Sequence, residues 1–396
     1  MIQGRNIICL SSPAWEGNYA STTVELMKVL AANNKVLFVN NPFTLKDVID
    51  GLKKKKDVPV KKVFGFKSRI KRVTLQAGEI YVLTPPMILS INFLPKGKLY
   101  NFLLKCNGLM VRRVIRRSLK TLNMNKNLVN IVSLNPAMGL INGKQLNEKL
   151  LLYLCYDEIG IATYVKKHGA WMEEKFSKMV DAVIVTSQGL YESKKSLSPN
   201  CFLVKNAANV HLFGTAFNSL IPSKKQIGFI GSIDKRTDYD LMQYLIESLP
   251  QVEFIFIGRV NYAYGEQLLQ QYKNVKFEGP KNIEELPGYV RNFSAGIIPF
   301  LKTDFNKGIY PLKINEYLAA GIPVVTTNFS HLKDFESVIR IAETKEEFRK
   351  FIVEEIETDS LEKKLARQNL AKENSWEHRA DELSSIINTL EKAKEN

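Results

Sequence analysis

A single glutamate in the segment YPLKINEYLAAGIPVVTTN, residues 310–328, is the first candidate for chemistry in this sequence. The segment predicts a helix of small and apolar residues that ends at Gly321, followed by a buried strand that begins at Pro323. Glu316 projects from that helix, and its two carboxylate oxygens could accept hydrogen bonds from two vicinal hydroxyls of a ligand. The alternative is that Glu316 is a solvated helix residue.

A cationic turn in IGFIGSIDKRTDYDLM, residues 227–242, is the second candidate. The pattern predicts a strand, a turn at Gly231 and the start of a helix, whose free N–H groups favour an anion. Lys235 and Arg236 can neutralise a diphosphate brought close to this turn. We favour Arg236 for this role because its guanidinium forms a planar fork of donors.

A metal site is not expected in this part of the chain. Asp238 and Asp240 have the D-x-D spacing of a metal motif, but they lie in the first helical turn, where the helix dipole favours acids. None of the four histidines stands at ligand spacing with another. The sequence therefore predicts neither a metal nor another cofactor.

Both segments resemble glycosyltransferase family 4, also called group 1, and its relatives with the GT-B fold. The resemblance implies that Glu316 binds the ribose hydroxyls of a nucleotide sugar and that the cationic turn binds its pyrophosphate. Those enzymes often carry another glutamate eight positions earlier, where this sequence has Gly308, so retention or inversion at the anomeric carbon stays open. Lys313 could supply a substitute cation for the diphosphate, or it could be a surface lysine.

Three further segments extend the resemblance. Residues 274–300 resemble the part of GT-B donor domains that flanks the base, which implies that Gly279 and Ile283 lie near the ring. Residues 375–383 resemble the terminal helix that crosses back to the first domain. The loop at Gly17 resembles the acceptor-domain opening of bacterial teichuronic acid and related polysaccharide transferases, and is expected to face the cleft. Ordinary packing, or a simple turn at Gly17, is the alternative.

A carboxylate pair follows a predicted strand in LLYLCYDEIG, residues 151–160. Asp157 comes directly after that strand, at the edge where ligands bind in α/β proteins. We predict that Asp157 binds or deprotonates the acceptor hydroxyl, a role that needs hydrogen-bond reach more than a special pKa. It could instead cap a helix, and Glu16 is a weaker candidate for the same role.

The elements that must position these residues alternate along the whole chain. Short apolar, β-branched segments separated by helical patterns predict parallel βαβ units, with seven strands in a first sheet and five in a second. The expected fold class is α/β, with two Rossmann-like domains facing a central cleft (GT-B), and 396 residues suffice for both. We predict an acceptor-binding domain at 1–215, a nucleotide-sugar domain at 222–375 and a C-terminal helix at 376–396, with the linker in 214–225.

The net charge of +16 comes from the first half of the chain, where residues 1–220 hold 32 lysines and arginines against 13 acids. Residues 53–72, with ten cations and one acid, are predicted to be loop-like, and a basic amphipathic helix lies further along. Such clusters indicate an anionic membrane surface as partner. The predicted membrane-facing residues are Lys53, Lys54, Lys55, Lys56, Arg112, Arg113, Arg116 and Arg117. Alternatively, the apolar stripe of that helix, which includes Met110, Ile115 and Leu119, packs on the sheet and the arginines are solvated.

The predicted compartment is the cytoplasm, at the inner face of the cell membrane. The four cysteines form no C-x-x-C pair, and the first residues lack the pattern of a signal peptide. The apolar stretch 80–94 is broken by two prolines and is shorter than the ~20 residues that a membrane-spanning helix needs.

Together these features predict a hexosyltransferase-type glycosyltransferase in bacterial cell-surface polysaccharide synthesis. Its donor is expected to be a nucleotide diphosphate sugar, with UDP as the nucleotide, and its acceptor a lipid-linked molecule or a glycan. One alternative is a sugar-nucleotide epimerase of the same fold, and another is a non-catalytic basic protein that binds a membrane or nucleic acid. Nucleic acid is not the expected partner, because aromatic residues do not alternate with the cations as a base-stacking surface requires.

Overall fold

The computed structural model describes residues 1–16, 21–159, 167–220 and 224–395. The chain divides into two compact units. The N-terminal unit holds Met1–Lys205 and Arg379–Asn396, and the C-terminal unit holds Asn206–His378. Each unit contains one predominantly parallel sheet with helices on it, which confirms the predicted α/β class.

Eight strands form the sheet of the N-terminal unit: β1 (Asn6–Ser11), β2 (Lys35–Val39), β3 (Ile70–Thr74), β4 (Glu79–Leu83), β5 (Leu128–Ser133), β6 (Glu148–Cys155), β7 (Ala182–Val185) and β8 (Cys201–Leu203). Their order is β3-β4-β2-β1-β5-β6-β7-β8, and neighbours pair in parallel except β3 with β4. The chain winds outwards in both directions from β1 and β5, so the edge beyond these strands is where an open α/β sheet binds ligands.

Helices cover both faces of this sheet: α1 (Thr22–Ala31), α2 (Leu45–Leu52), α3 (Val60–Val63), α4 (Lys98–Thr121), α5 (Pro136–Asn142), α6 (Gly169–Ser177) and α7 (Gln188–Lys194). The two-residue period of a strand separates two apolar layers. Ile8 and Leu10 pack in the layer that contains apolar residues of α4, α5 and α6. Ile7 and Cys9 pack in the layer that contains those of α1.

Six strands form the second sheet: β9 (Gln226–Ile230), β10 (Glu253–Ile257), β11 (Val275–Gly279), β12 (Ala295–Ile298), β13 (Val324–Thr327) and β14 (Arg340–Ala342). Their order is β11-β10-β9-β12-β13-β14, and all pairs are parallel. The winding direction changes between β9 and β12, so the ligand-binding edge lies beyond these two strands.

The helices of the C-terminal unit are α8 (Val210–Gly214), α9 (Tyr239–Ser248), α10 (Ala263–Leu269), α11 (Leu286–Val290), α12 (Asp304–Lys307), α13 (Leu312–Ala319), α14 (Lys345–Glu357) and α15 (Leu361–Glu373), with 3-10 turns at Ile283–Glu285 and Lys333–Phe335. Large aromatic side chains fill the core of this unit. Phe229, Phe254 and Phe256 from the strands are fully buried with Tyr317 of α13.

The boundary between the units lies at Lys205 and Asn206, earlier than the predicted domain end at residue 215. The reason is α8, a short helix within residues 206–215 that the sequence assigned to the first domain. Its Phe213 is fully buried in the core of the C-terminal unit. Residues 221–223 of the predicted linker lie outside the described chain.

The terminal helix α16 (Trp376–Glu395) ends in the N-terminal unit. Ala380, Leu383 and Ile387 are buried in the same apolar layer as α1. Two ion pairs fix this helix to the first residues of the chain, one from Arg5 to Glu391 and one from the terminal amine to Asp381. The helix that the sequence placed at 376–396 therefore completes the first core rather than the second.

Three local predictions were wrong. Two edge strands, β3 and β14, were missed, because β3 has no buried residue and contains two cations, and β14 has only three residues. The segment 53–72 is not a continuous loop, since it contains α3 and the first residues of β3. In α4, Ile115 and Leu119 are buried as the apolar stripe requires, but Met110 is exposed.

Candidate functional site

The turn after β9 places Gly231 at the ligand-binding edge of the second sheet. Gly231 adopts a φ of 131°, a backbone conformation that side chains disfavour. A Cβ atom built on it would lie 2.8 Å from Nζ of Lys313. Glycine is therefore needed here both for the turn and for the close approach of the lysine.

The Lys313 ammonium lies among aromatic rings beside this turn. Its Nζ is 4.2 Å from the ring centroid of Phe229 and 4.9 Å from that of Phe300. Burial of the ammonium and the nearby guanidinium of Arg236 together lower the pKa of Lys313 to about 7, against the opposing charges of Glu316 and Asp234. Of the two alternatives for Lys313, a substitute cation or a surface lysine, the structure favours the first, since the ammonium lies against two aromatic rings at the sheet edge.

Glu316 is buried one helical turn further along α13, with 8% of its surface exposed. Burial raises the pKa of its carboxyl group to about 7, and the charge of Lys313 only partly opposes this. The alternative of a solvated helix residue is therefore wrong. A buried carboxylate near its pKa gains from hydrogen-bond donors that a ligand would bring.

Arg236 lies on the same turn and is held by Asp234. The guanidinium forms a two-pronged contact with this carboxylate, with Nη2 to Oδ2 at 2.7 Å and Nε to Oδ1 at 2.9 Å. Although burial raises the pKa of Asp234, the hydrogen bonds and charge of Arg236 outweigh it and hold that pKa below its ordinary value. The guanidinium carbon also lies 5.2 Å from the ring of Phe300, so Arg236 is oriented by two partners.

The other predicted donor residues lie apart from this cluster. Lys235 is exposed, with Nζ 5.5 Å from the ring of Tyr262. Gly279 ends β11, two strands away from β9, and Ile283 begins the following 3-10 turn and packs against the core. The structure therefore brings together Gly231, Arg236, Lys313 and Glu316, which we call the basic-acidic cluster.

Gly308, where the related enzymes often have a glutamate, ends helix α12. A Cβ atom built there would meet only the carbonyl oxygen of Phe305, at 3.6 Å, which is an ordinary contact. An open cavity of about 370 Å³ follows the carboxyl ends of β12 and β13 and is lined by residues of the same loop, among them Lys302, Asp304 and Lys307. The site thus has room for a side chain at position 308 that the chain does not supply.

In the N-terminal unit, Asp157 is exposed just beyond the carboxyl end of β6. Its backbone carbonyl accepts a hydrogen bond from Sγ of Cys155, and the next residue, Glu158, pairs with the buried Lys194. Residues 160–166 lie outside the described chain, so the helix-cap alternative for Asp157 stays a prediction.

The loop with Gly17 also lies outside the described residues, which omit 17–20. Ser21 stands at the N-cap of α1, but its side chain makes no capping hydrogen bond. Glu16, the weaker acceptor-site candidate, is exposed and paired with Lys71, whose hydrogen bond lowers the pKa of the carboxyl group.

The predicted membrane-facing cations lie at two places, directly after α2 and on α4. Lys53, Lys54, Lys55 and Lys56 are exposed at the end of α2, although Lys56 pairs with Asp47. Arg112 and Arg116 donate hydrogen bonds to the backbone carbonyls of Ile141 and Gln145. Arg113 and Arg117 are exposed on α4.

Within the described residues, no group of three His, Cys, Asp or Glu side chains is arranged to hold a metal ion. Asp238 caps α9 by accepting a hydrogen bond from the N–H of Leu241, so the D-x-D pair is part of a helix start. Sequence reasoning missed Asp234, Phe229 and Phe300, which orient the two cations. Only Asp234 had a signal, its place two residues before Arg236.

Comparison with known proteins locates a family within the C-terminal unit. Residues 224–367 match the family described as glycosyl transferases group 1, which confirms the resemblance drawn from the two motifs. The chain is also 35% identical over 104 residues to a Bacillus subtilis (strain 168) protein described as a teichuronic acid biosynthesis glycosyltransferase. That alignment spans 26% of this chain and 26% of the relative.

Solved structures resemble the whole chain. Sucrose-phosphate synthase from Thermosynechococcus elongatus matches with a TM-score of 0.67 and 16% identity, over 98% of this chain and 100% of that one. The Anabaena protein HepE in complex with UDP and glucose matches with a TM-score of 0.64 and 12% identity, over 97% of this chain and 99% of that one. The catalytic domain of Arabidopsis thaliana starch synthase IV bound to ADP and acarbose matches with a TM-score of 0.65 and 10% identity, over 98% of this chain and 100% of that one. These similarities confirm the predicted fold class, two Rossmann-like domains of the GT-B type.

Proposed function

We propose that this chain, whose residues 224–367 match the group 1 glycosyl transferases, is a hexosyltransferase that takes its sugar from a nucleotide diphosphate sugar. The observation that supports this best is the basic-acidic cluster at the edge of the second sheet. Two cations and a buried carboxylate beside a glycine turn offer partners for the pyrophosphate and the ribose of one ligand.

The cations act on the leaving group. When the bond between the anomeric carbon and the diphosphate oxygen breaks, negative charge builds on the diphosphate, and fixed positive charge stabilises it. Arg236 supplies a permanent charge that Asp234 already orients. Lys313, with a pKa of about 7, gains a proton when an anion lies beside it and then stabilises the same charge.

Glu316 binds the nucleotide. As a carboxylate it accepts hydrogen bonds from the two ribose hydroxyls, which relieve the cost of its burial. Gly279 and Ile283 contact the base from the β11 side of the sheet, and Lys235 screens the phosphates from solvent.

Asp157 acts on the acceptor. Its exposed carboxylate after β6 binds or deprotonates the attacking hydroxyl, while Gly17 and its neighbours shape the acceptor loop. The chain uses no metal, because Arg236 and Lys313 take over neutralisation of the diphosphate. Because Gly308 stands in place of a glutamate, product analysis must determine whether the anomeric configuration of the sugar is retained or inverted.

The donor nucleotide in this proposal is UDP, and the acceptor is lipid-linked or a glycan in bacterial cell-surface polysaccharide synthesis. Support for the nucleotide comes from HepE, whose structure holds UDP and glucose. Support for the pathway comes from the partial relative described as a teichuronic acid biosynthesis enzyme. The enzyme works at the cytoplasmic face of an anionic membrane, to which the exposed Lys53–Lys55, Arg113 and Arg117 bind.

A ligand screen tests the proposal. Thermal unfolding is followed with UDP-, GDP-, dTDP- and ADP-sugars, since a ligand that binds the folded state raises its apparent stability. UDP-sugars should raise the Tm of the wild type, and Arg236→Met and Glu316→Gln should abolish the shift. Arg340→Met, which removes an arginine paired with Glu355 elsewhere in the C-terminal unit, is the matched control and should keep it.

Product analysis then separates transfer from its rivals. Incubation with donor and a membrane extract should release UDP and label the extract. A new sugar nucleotide without UDP would mean an epimerase. No nucleotide sugar binding at all would contradict the donor assignment and favour a non-catalytic protein.

A further inference from the structure

Most large apolar side chains that the structure exposes fall between residues 45 and 110 of the N-terminal unit. Leu45, Ile49 and Leu52 line one face of α2 at helical spacing, whereas Val48 faces the core. On α4, Leu99 is 60% exposed and Phe102 is 62% exposed. A monomeric soluble domain rarely exposes so many large apolar residues in one region, so this surface is typical of a binding interface.

Hydrogen bonds of the backbone and of one buried asparagine join these residues into one surface. The N–H of Leu45 donates to the carbonyl of Ile88, which connects the start of α2 to the loop at 88–90. The N–H of Leu89 donates to Oδ1 of Asn107, whose Nδ2 donates back to the carbonyl of Leu89, which connects the loop to α4. Leu89 itself is exposed between the two helices.

The orientation of α4 shows which side of the helix belongs to this surface. Gly108 lies against Ile141 of α5, where a Cβ atom would approach to 2.9 Å. With 3.6 residues per turn, Leu99 and Phe102 lie on the side of the helix away from Gly108 and therefore away from α5. Arg113 and Arg117 continue the same stripe.

Cations border the apolar side chains. Lys53, Lys54 and Lys55 follow α2 directly, Lys98 and Lys105 lie on α4 beside Phe102, and all of them are exposed. Apolar side chains bordered by lysine match the interface of an anionic bilayer, where the former reach the acyl chains and the latter the headgroups. No helix in the described ranges is long and apolar enough to cross a membrane.

We infer that α2, the loop at Leu89 and the first half of α4 form a monolayer-inserting surface for an anionic phospholipid membrane. The inference deepens the proposed membrane attachment by naming apolar insertion, and not charge alone, as its main contribution. The apolar stripe that anchors the protein is Leu99 and Phe102 on the outer face of α4, not the buried Ile115 and Leu119.

Vesicle flotation tests the inference with the full chain. Wild type should bind phosphatidylglycerol-containing vesicles, and should bind pure phosphatidylcholine vesicles more weakly. Leu99→Ser with Phe102→Ser should weaken binding about 10- to 100-fold, given the apolar area lost. The matched control is Leu361→Ser with Leu365→Ser, two exposed leucines on α15 of the C-terminal unit, and should bind like wild type.

A tryptophan probe reports insertion itself. Phe102→Trp should show a blue-shifted emission on anionic vesicles and quenching by brominated lipid chains, whereas Leu361→Trp should show neither. Equal binding by the serine variant and its control would overturn the inference, as would quenching absent at position 102. A further result would also overturn the inference: wild type that self-associates in solution but binds no vesicles, with the self-association lost in the Leu99/Phe102 variant. That result would assign the surface to a second copy of the chain.

A measurement of nucleotide binding distinguishes a failure of this inference from a failure of the proposed function. The thermal shift with UDP-sugars is measured on the Leu99/Phe102 variant in parallel. A variant that keeps the shift but loses the vesicles supports the inference. Vesicle binding by a wild type that binds no nucleotide sugar would contradict the proposed transfer and leave the membrane surface supported.

Discussion

The backbone N–H of Ile230 donates a hydrogen bond of 2.8 Å to the hydroxyl of Tyr317. Ile230 is the last residue of β9, directly before the Gly231 turn, and Tyr317 follows Glu316 in α13. The same hydroxyl lies 3.3 Å from the carbonyl oxygen of Gly228. One buried phenol thus sets the position of the carboxylate relative to the cationic turn.

Tyr317→Phe tests this positioning. The variant leaves a buried N–H without its partner, so it should lower the free energy of unfolding by about 1–3 kcal/mol. It should also weaken nucleotide diphosphate binding, because α13 loses its fixed distance from the turn. Urea unfolding and calorimetric titration measure the two effects. Tyr264→Phe, at an exposed tyrosine of the same unit, should change neither.

Gly231→Ala should disable the donor site. The new Cβ atom meets Nζ of Lys313 at 2.8 Å, and the φ of 131° disfavours any side chain. We expect a loss of stability of about 1–3 kcal/mol and loss of nucleotide binding. Gly288→Ala is the control, since a Cβ atom there meets nothing within 4 Å. Equal nucleotide affinity in both variants would contradict the close approach of Lys313.

Proton uptake should accompany nucleotide binding above neutral pH. Burial lowers the pKa of Lys313 to about 7, so at pH 8 most molecules carry a neutral amine. A bound diphosphate raises that pKa, and the amine takes up a proton. Calorimetric titration with UDP in two buffers of different ionisation enthalpy measures the uptake. Lys313→Met should bind without it, and an unchanged uptake in this variant would assign the proton elsewhere.

The stability of the C-terminal unit should depend on pH through Glu316. Its pKa rises from 4.5 in the unfolded chain to about 7 in the fold, so between these values the folded state holds a proton that the unfolded state has lost. The contribution of Glu316 to stability therefore falls as the pH rises from 4.5 to 7. Glu316→Gln should gain stability relative to wild type across this window. Thermal unfolding at several pH values measures this, with the exposed Glu362→Gln as a variant expected to run parallel to wild type.

Asp157→Asn should separate donor binding from transfer. Loss of the carboxylate should lower kcat by about 10²- to 10⁴-fold while the UDP-sugar affinity stays the same, because the proposed donor site lies in the C-terminal unit. Glu192→Gln, at an exposed glutamate of α7, serves as the comparison and should keep full turnover. A variant with normal kcat would remove Asp157 from the acceptor site.

The strands that the sequence predicted well are those buried on both faces. Ile7 and Cys9, like Phe254 and Phe256, lie in continuous apolar runs that only a covered parallel strand explains. The strand β3 escaped prediction because it pairs antiparallel at an edge, where none of its residues is buried and two of the five are cations. Local pattern alone therefore fails for a short edge strand without a buried face.

The sequence predicted which residues form the candidate site, but it did not predict which side chains surround them. Glycine, arginine and glutamate at these spacings indicated a nucleotide site, but the rings around Lys313 come from Phe229 in β9 and from Phe300 in the loop after β12, which are distant in sequence. The buried face of α4 was likewise not predictable, because the helical period of its sequence allowed either face to be buried. The contact with α5 determines which face is buried, and α5 follows another strand.

Helix α16 gives the N-terminal unit an order of assembly. Its sheet face is closed by residues that the ribosome adds only after the whole C-terminal unit has been made. During synthesis the first two hundred residues lack the part of one apolar layer that α16 supplies, while the C-terminal unit already has every strand it needs. The C-terminal unit can therefore fold first, and a substitution in α16 should appear as a folding defect of the N-terminal unit.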